Sequence, residues 1–406
     1  MKETKFKQTE VGMIPSDWEV KPFKNVATLI NGRAYSQNEL LERGKYRVLR
    51  VGNFGTNDSW YYSNLELPEK MYCNKGDLLY CWSCTYGAYI WNEEKTIYHY
   101  HIWKIADLKA EKGYLQYILN NDVAQQMNSS NGSTMSHITK GFLENRLFAF
   151  PPTIEEQQRI ATALSDVDSL INNLEKLIAK KKNIKQGAMQ QLLTGKKRLK
   201  GFESEWKTVS IKNMGTLTGA GVDKKTYHDE TPVRLVNYVD VFHKDFIYNN
   251  DLNFWTTANQ QKLVQCNVEI GDVFFTPSSE MPYDIALSAV AMETMQNVCY
   301  SYHIYRLRFN EEIDLKYKTY MFKTQDFYNQ ANQTCEGSGK RYVISLKKFN
   351  ELVVRYPKDI SEQRAISKIL SDMDSEIEAL EQKLAKVRNI KQGMMQELLT
   401  GKIRLV

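Results

Sequence analysis

The segment from Glu156 to Leu199 recurs as Glu362 to Leu405. The copies read EQQRIATALSDVDSLINNLEKLIAKKKNIKQGAMQQLLTGKKRL and EQRAISKILSDMDSEIEALEQKLAKVRNIKQGMMQELLTGKIRL, with the NIKQG and LLTGK blocks identical. A repeat this long means that the chain is built twice over. Each copy follows a block that differs from the other, so four segments are expected: a head over 1–150, a repeat helix over 151–199, a second head over 200–356 and a second repeat helix over 357–406.

Apolar residues inside the repeats keep a heptad period. Ile160, Leu164, Val167, Ile171, Leu174 and Ile178 step alternately by four and three, and so do Ile366, Leu370, Met373, Ile377, Leu380, Leu384 and Val387. That is a coiled-coil seam, and the positions between are mostly charged or amide residues. Each helix is predicted to run about 35 residues, or roughly 50 Å. Pro151, Pro152 and Pro357 mark the starts, and Gly195 and Gly401 stand where C-caps belong. Gly187 and Gly393 fall inside the helices, at a cost of about 1 kcal/mol each relative to Ala. Their recurrence has two readings, a close backbone approach or a tolerated defect.

A helix with one apolar stripe needs a partner. The block 200–356 joins the end of the first helix to the start of the second. Antiparallel pairing brings those ends together, whereas parallel pairing would make the block bridge a whole helix. The predicted object is two heads held apart by an antiparallel coiled-coil bar, with a pseudo-two-fold axis across it.

The heads echo each other weakly. Each opens near a tryptophan, Trp18 or Trp206, and has an extended run, 46–54 or 233–242. Each has a Gly-Asp turn into a strand (75–80 and 270–275), a Tyr-x-x-Tyr helix (Tyr114/Tyr117 and Tyr317/Tyr320) and a Gly-Ser loop (131–134 and 336–339). The fold class is α+β: two similar mixed domains separated by the two long helices.

At 406 residues the chain can build two cores. The net charge of +6 is compatible with nucleic acid without requiring it. The N-terminal residues lack a signal-peptide core, and the longest near-apolar stretch, 78–91, is too short to span a bilayer, so a cytoplasmic protein is expected. The six cysteines form no disulfide framework. Cys81, Cys84, His99 and His101 could be drawn as a zinc set, but with no second CxxC the better reading is buried or half-buried thiols.

The layout resembles, over essentially the whole chain, the specificity subunit of type I restriction–modification systems. The resemblance rests on the paired EQ-started helices, the NIKQG…LLTGK…RL tails, and the Gly-Asp strands and Gly-Ser loops of each head. It implies target recognition domains that each read half of a bipartite double-stranded DNA sequence. It also implies helices that set the spacing and help dock two methyltransferase subunits, with restriction/translocase subunits joining that core. S-adenosylmethionine, ATP and magnesium would then belong to the partners and none to this chain.

The residues agree with binding rather than catalysis. No NPPF- or DPPY-like tetrapeptide for amino-group methylation is present. The run Gly337-Ser338-Gly339-Lys340 is no phosphate loop, because Thr334 replaces its first glycine and Arg341 its Ser or Thr. The expected DNA-facing residues of head one are Arg50 and Asn53, then Trp82, Ser83, Thr85 and Tyr86, then Ser133, Thr134, His137 and Lys140. Those of head two are Lys224, Lys225 and Tyr227, then Asn237 and Tyr238, then Ser278 and Ser279, then Ser338, Lys340, Arg341 and Tyr342. Arg and Asn stand out because they can make bidentate contacts with guanine and adenine. The aromatic run 98–105 reads as strand core instead. The basic cluster of Lys180, Lys181, Lys182, Lys196, Lys197, Arg198 and Lys200 suits phosphates, a partner or a solvated helix face. The competing reading from another class is an adaptor whose two heads bind protein.

Overall fold

Aromatic and β-branched runs broken every few positions by Gly, Asn, Asp or Pro form short strands. The computed structural model describes residues 4–55, 57–129, 138–339 and 341–406. It divides into two units, one running to Glu175 and including Gln382–Val406, the other Lys176–Glu381.

In the first unit an antiparallel sheet runs in the order Thr28–Asn31, Ile102–Ala106, Leu78–Cys81, Gly87–Ile90. A second sheet runs Tyr61–Ser63, Tyr46–Leu49, Thr96–Tyr98, Tyr72–Cys73, with its middle pair parallel. Glu19–Pro22 pairs with Leu147–Phe150 just before the first long helix. The second unit repeats this order. Its first sheet is Gly215–Thr218, Tyr305–Phe309, Val273–Phe275, Ser288–Ala291, with Phe246–Ile247 added parallel at the edge. Its second is Trp255–Ala258, Thr231–Val236, Met295–Tyr300, Asn267–Val268, again with the middle pair parallel. Trp206–Ser210 pairs with Val353–Pro357 before the second long helix. The Gly-Asp echoes fall at one equivalent turn. Gly76 and Gly271 supply positive φ (92° and 85°), and the Asp77 and Asp272 carboxylates accept from the amides of Asn74 (2.8 Å) and Glu269 (2.9 Å).

The long helices are Ile154–Leu192 and Ile360–Leu398, 39 residues each, somewhat longer than their periodic parts. Within each unit they lie antiparallel. In the first unit Lys391 pairs with Asp168 and Arg388 with Glu175, both at 2.6 Å. In the second, Lys185 pairs with Asp374, Lys181 with Glu376 and Lys182 with Glu381. Residues nearer the start of one helix pair with residues nearer the end of the other. Leu174, Ile178, Ile377 and Val387 are buried along the seam, and Val167, Ile171, Met373, Leu380 and Leu384 are half-buried. The first seam positions do something else. Ile160 and Leu164 enter the first unit's core together with Leu398 and Leu399, and Ile366 and Leu370 enter the second unit's core with Leu192 and Leu193. Each helix starts directly after its head's last strand, so its first two turns are head core before they are coil.

The repeated tails are explained by one clamp, built twice. Arg404 forks onto buried Glu156 (2.5 and 2.8 Å) and onto Asp17, beneath the Trp18 ring. Arg198 forks onto buried Glu362 (2.6 and 2.8 Å) beneath Trp206. The neighbouring glutamines close the helix starts: Gln157 bonds the Pro151 carbonyl and the Glu111 amide, and Gln363 bonds Pro357 and Asp314. Gly195 and Gly401 (φ 70° each) turn the chain out of the helix, where a Cβ on Gly401 would collide with Pro15 and one on Gly195 would press on the Trp206 ring at 3.3 Å. A Cβ on Gly187 or Gly393 would meet nothing within 4 Å, so neither marks a close approach inside the described chain. No helix among the described residues is long and apolar enough to cross a membrane.

Candidate nucleic-acid interface

In each head the central strand of the second sheet ends at a polar corner. In head two Val236 pairs with Tyr300, and the next residue, Asn237, starts the helix Tyr238–His243 with its amide on Asp240 Oδ2 (2.9 Å). In head one Leu49 pairs with Tyr98, and Arg50 starts the turn Val51–Phe54 with its amide on Asn53 Oδ1 (3.0 Å). Asn237 and Arg50 therefore occupy the same place. The facing loop is shared as well. The amides of His99 and Ser301 bond the carbonyls of Leu49 and Val236, both at 2.9 Å, and each is followed by a Tyr-His pair with its rings 3.9 Å apart. Tyr100 is 40% exposed and Tyr302 46%.

Head two gathers much of what the sequence singled out. A cavity of about 500 Å³ is lined by Tyr238, Ser278, Ser279 and Arg341, with Phe242, Met281, Asp284 and His303. Arg341 Nη2 lies 3.4 Å from Ser278 Oγ. Across Asn237 a second cavity of about 340 Å³ is lined by Lys224, Asn237, Asp240, Asn253 and Phe254. Burial raises the Tyr238 phenol pKa, and burial followed by the charges of Lys224 and Arg341 lowers that of His303. Lys225 and Tyr227 are exposed but line neither of these cavities, and Ser338 sits on the strand Glu336–Ser338. Tyr342 packs against the head core. The expected Gly-Ser loop here is a hairpin, Glu336–Ser338 against Arg341–Val343. Strand-turn-strand is not the strand-loop-helix of a phosphate loop.

Head one is more aromatic. The Trp82 ring stacks on Trp103 (5.8 Å) and meets His101 edge-on (4.9 Å), and its indole N–H donates to the Tyr100 carbonyl (2.9 Å). Arg50 lies 4.2 Å over the Tyr61 ring. His99 is held neutral at pH 7, its pKa lowered to about 4 by burial, then by the charges of His101 and Arg50. Asn53 spends its carboxamide on the loop, accepting from Arg50 and donating to the Asn57 and Ser59 carbonyls. Ser83 is buried, whereas Thr85 and Tyr86 are half-buried. Lys140 opens the helix Lys140–Asn145 and approaches Glu144 at 3.7 Å. Ser133, Thr134, His137 and Lys340 lie outside the described residues. Cys81 is buried in an apolar cluster and Cys84 is exposed. Among the described residues no group of three or more His, Cys, Asp or Glu could hold a metal.

The run 98–105 splits. Tyr98, Ile102, Trp103 and Ile105 are core as expected, but 99–101 turn outward and carry Tyr100 to the surface. The signal was in the sequence, since YHYHIWKI has a counterpart in YSYHIYRL at 300–307.

The Type I restriction modification DNA specificity domain model matches this chain twice, over residues 15–186 and 203–389. The chain belongs to that family. The Type I restriction enzyme MjaVIII specificity subunit of Methanocaldococcus jannaschii is 24% identical, over 100% of this chain and 97% of its own. The putative MjaX specificity subunit of the same organism is 23% identical, over 100% and 98%. The type I S subunit of M. genitalium shares the fold, with a TM-score of 0.56 at 16% identity over 97% and 98% of the two chains. So does a chain from work on complex assembly and conformational transition of the type I R-M system, with a TM-score of 0.61 at 14% identity over 96% and 99%. As a family member, this chain supplies DNA target specificity to a type I restriction–modification system, and each match spans one head and most of the long helix that follows it.

Proposed function

We propose that this chain reads a bipartite, asymmetric duplex, one half-site per head, and leaves the chemistry to its partners. One observation carries the reading. The two heads share the four-strand order of both sheets, with Phe246–Ile247 added at one edge in head two, yet the side chains on equivalent loops differ, as expected of one scaffold set to read two half-sites. Lys224, Arg341 and Lys140 supply phosphate affinity, and a few polar side chains supply sequence. Two methyltransferase subunits dock on the long helices, and restriction/translocase subunits join through them. S-adenosylmethionine, ATP and magnesium reside in those partners. An adenine to be methylated is flipped into the partner's site while this chain holds the duplex.

The test is binding by the complex of this chain with its methyltransferase. It is expected to retain one bipartite duplex over a scrambled one and to bind more tightly at low salt. Equal retention of both duplexes would favour the protein-binding adaptor instead.

A further inference from the structure

The polar corner at the end of the central strand recurs in both heads with the same walls. Tyr61 and Phe254 are the equivalent aromatic walls, because Tyr61 pairs with Val48 and the Phe254 carbonyl accepts from the Leu235 amide at 3.0 Å, each one residue before the strand's last. The Tyr-His tip stands opposite in both. What differs is the residue at the corner, Arg50 in one head and Asn237 in the other. Arg50 lays its guanidinium over Tyr61, 4.2 Å from the ring centroid, and its Nε is buried without a hydrogen-bond partner. Asn237 is 4% exposed and lines the 340 Å³ cavity beside Phe254, and its side-chain oxygen makes no hydrogen bond. A buried polar atom left unpaired is costly, and most such atoms in native proteins have partners. Two equivalent corners each hold one, with the two residue types that pair bidentately with purine edges.

We infer that this corner is the specificity-determining position of each head, Arg50 reading a guanine in one half-site and Asn237 an adenine in the other. The inference rests on the DNA-reading function proposed above. The parts that match between the heads, the Tyr-His tip and the aromatic wall, do what both half-sites need. The part that differs distinguishes them.

The experiment selects a randomised duplex pool on the full complex with its methyltransferase, using wild type, Arg50→Ala, Arg50→Lys, Asn237→Ala and Asn237→Asp. Lysine keeps the charge without the fork, and aspartate keeps the shape, so these two guard against misfolding. The expected result is loss of preference at one guanine with either Arg50 variant and at one adenine of the other half-site with either Asn237 variant. Discrimination there should fall roughly 5- to 150-fold, the equivalent of about 1–3 kcal/mol. A wild-type motif that survives all four substitutions overturns the inference and leaves the DNA-reading function standing. Uniform weakening on every sequence also overturns it, because that marks a phosphate contact. A wild-type complex that enriches no motif removes both.

Discussion

His99 shows how a single side chain in the candidate interface titrates. Its imidazole is held near pKa 4 against an ordinary value of 6.5, first by burial and then by the neighbouring positive charge. The unfolded chain therefore binds the proton more readily than the folded one. The stability this group contributes is complete above about pH 6.5 and is lost as the pH falls towards 4. His99→Asn should flatten part of that dependence: wild type should lose more melting temperature than the variant between pH 6.5 and 4, with the two curves converging in slope above pH 7. Equal losses would mean that the imidazole titrates normally in the fold. A local reading of the sequence could not find this environment. His99 owes it first to burial and then to the charges of His101 and Arg50, and the run around it looks from its apolar neighbours like plain strand. The same limit applies to Asn53 and Ser83. Their residue types suit DNA, but a loop clasp and a buried position absorb them. By contrast Lys224, Asn237, Tyr238, Ser278, Ser279 and Arg341 do line adjoining cavities, because polar residues at strand ends gather on one side of a sheet wherever the loops do.

The long helices were the most legible elements, since a heptad period is local and the copies repeat it. Their tethering was visible only as repetition. Nothing in RL or EQ says that the arginine of one copy seizes the glutamate of the other, 248 residues away in the case of Arg404 and Glu156. That pairing ranks the ion pairs. Arg404→Ala would leave Glu156, 2% exposed, as an uncompensated buried charge, with an expected cost of about 3–5 kcal/mol in urea unfolding. Arg388→Ala removes an exposed partner of Glu175 and should cost about 0–1 kcal/mol. Similar midpoints for the two variants would show that the clamp is no more than a surface pair. Leu174→Asp probes the seam itself. It puts a charge at a buried position, so a lower midpoint and loss of the methyltransferase complex are expected, with co-purification as the readout.

At the scale of the whole chain, the closing of each unit across distant segments decides how the heads can be exchanged. The first unit consists of head one, the first part of one long helix and the last part of the other. Three contacts tie these pieces together: Arg404 with Asp17, Gly401 with Pro15 and Trp18, and the Tyr117 hydroxyl donating to Asp168 at 2.7 Å. The second unit repeats the last of them as Tyr320 with Asp374 at 2.8 Å. Replacing residues 1–150 with the head of another family member therefore swaps out one side of all three contacts, while Glu156, Asp168 and Arg404 stay behind. A donor head that brings its own Asp-Trp start and Tyr-x-x-Tyr helix restores the unit and should change one half of the methylated motif only, as read by mapping methylated adenines in DNA from cells carrying the complex. The same donor with the tryptophan equivalent to Trp18 changed to alanine opens a cavity against Gly401, at an expected cost of about 3–5 kcal/mol, and should lose methylation in both halves, because the complex no longer assembles. A change in both halves with the intact donor would mean that base reading is not confined to one head, and the two-reader scheme would fall.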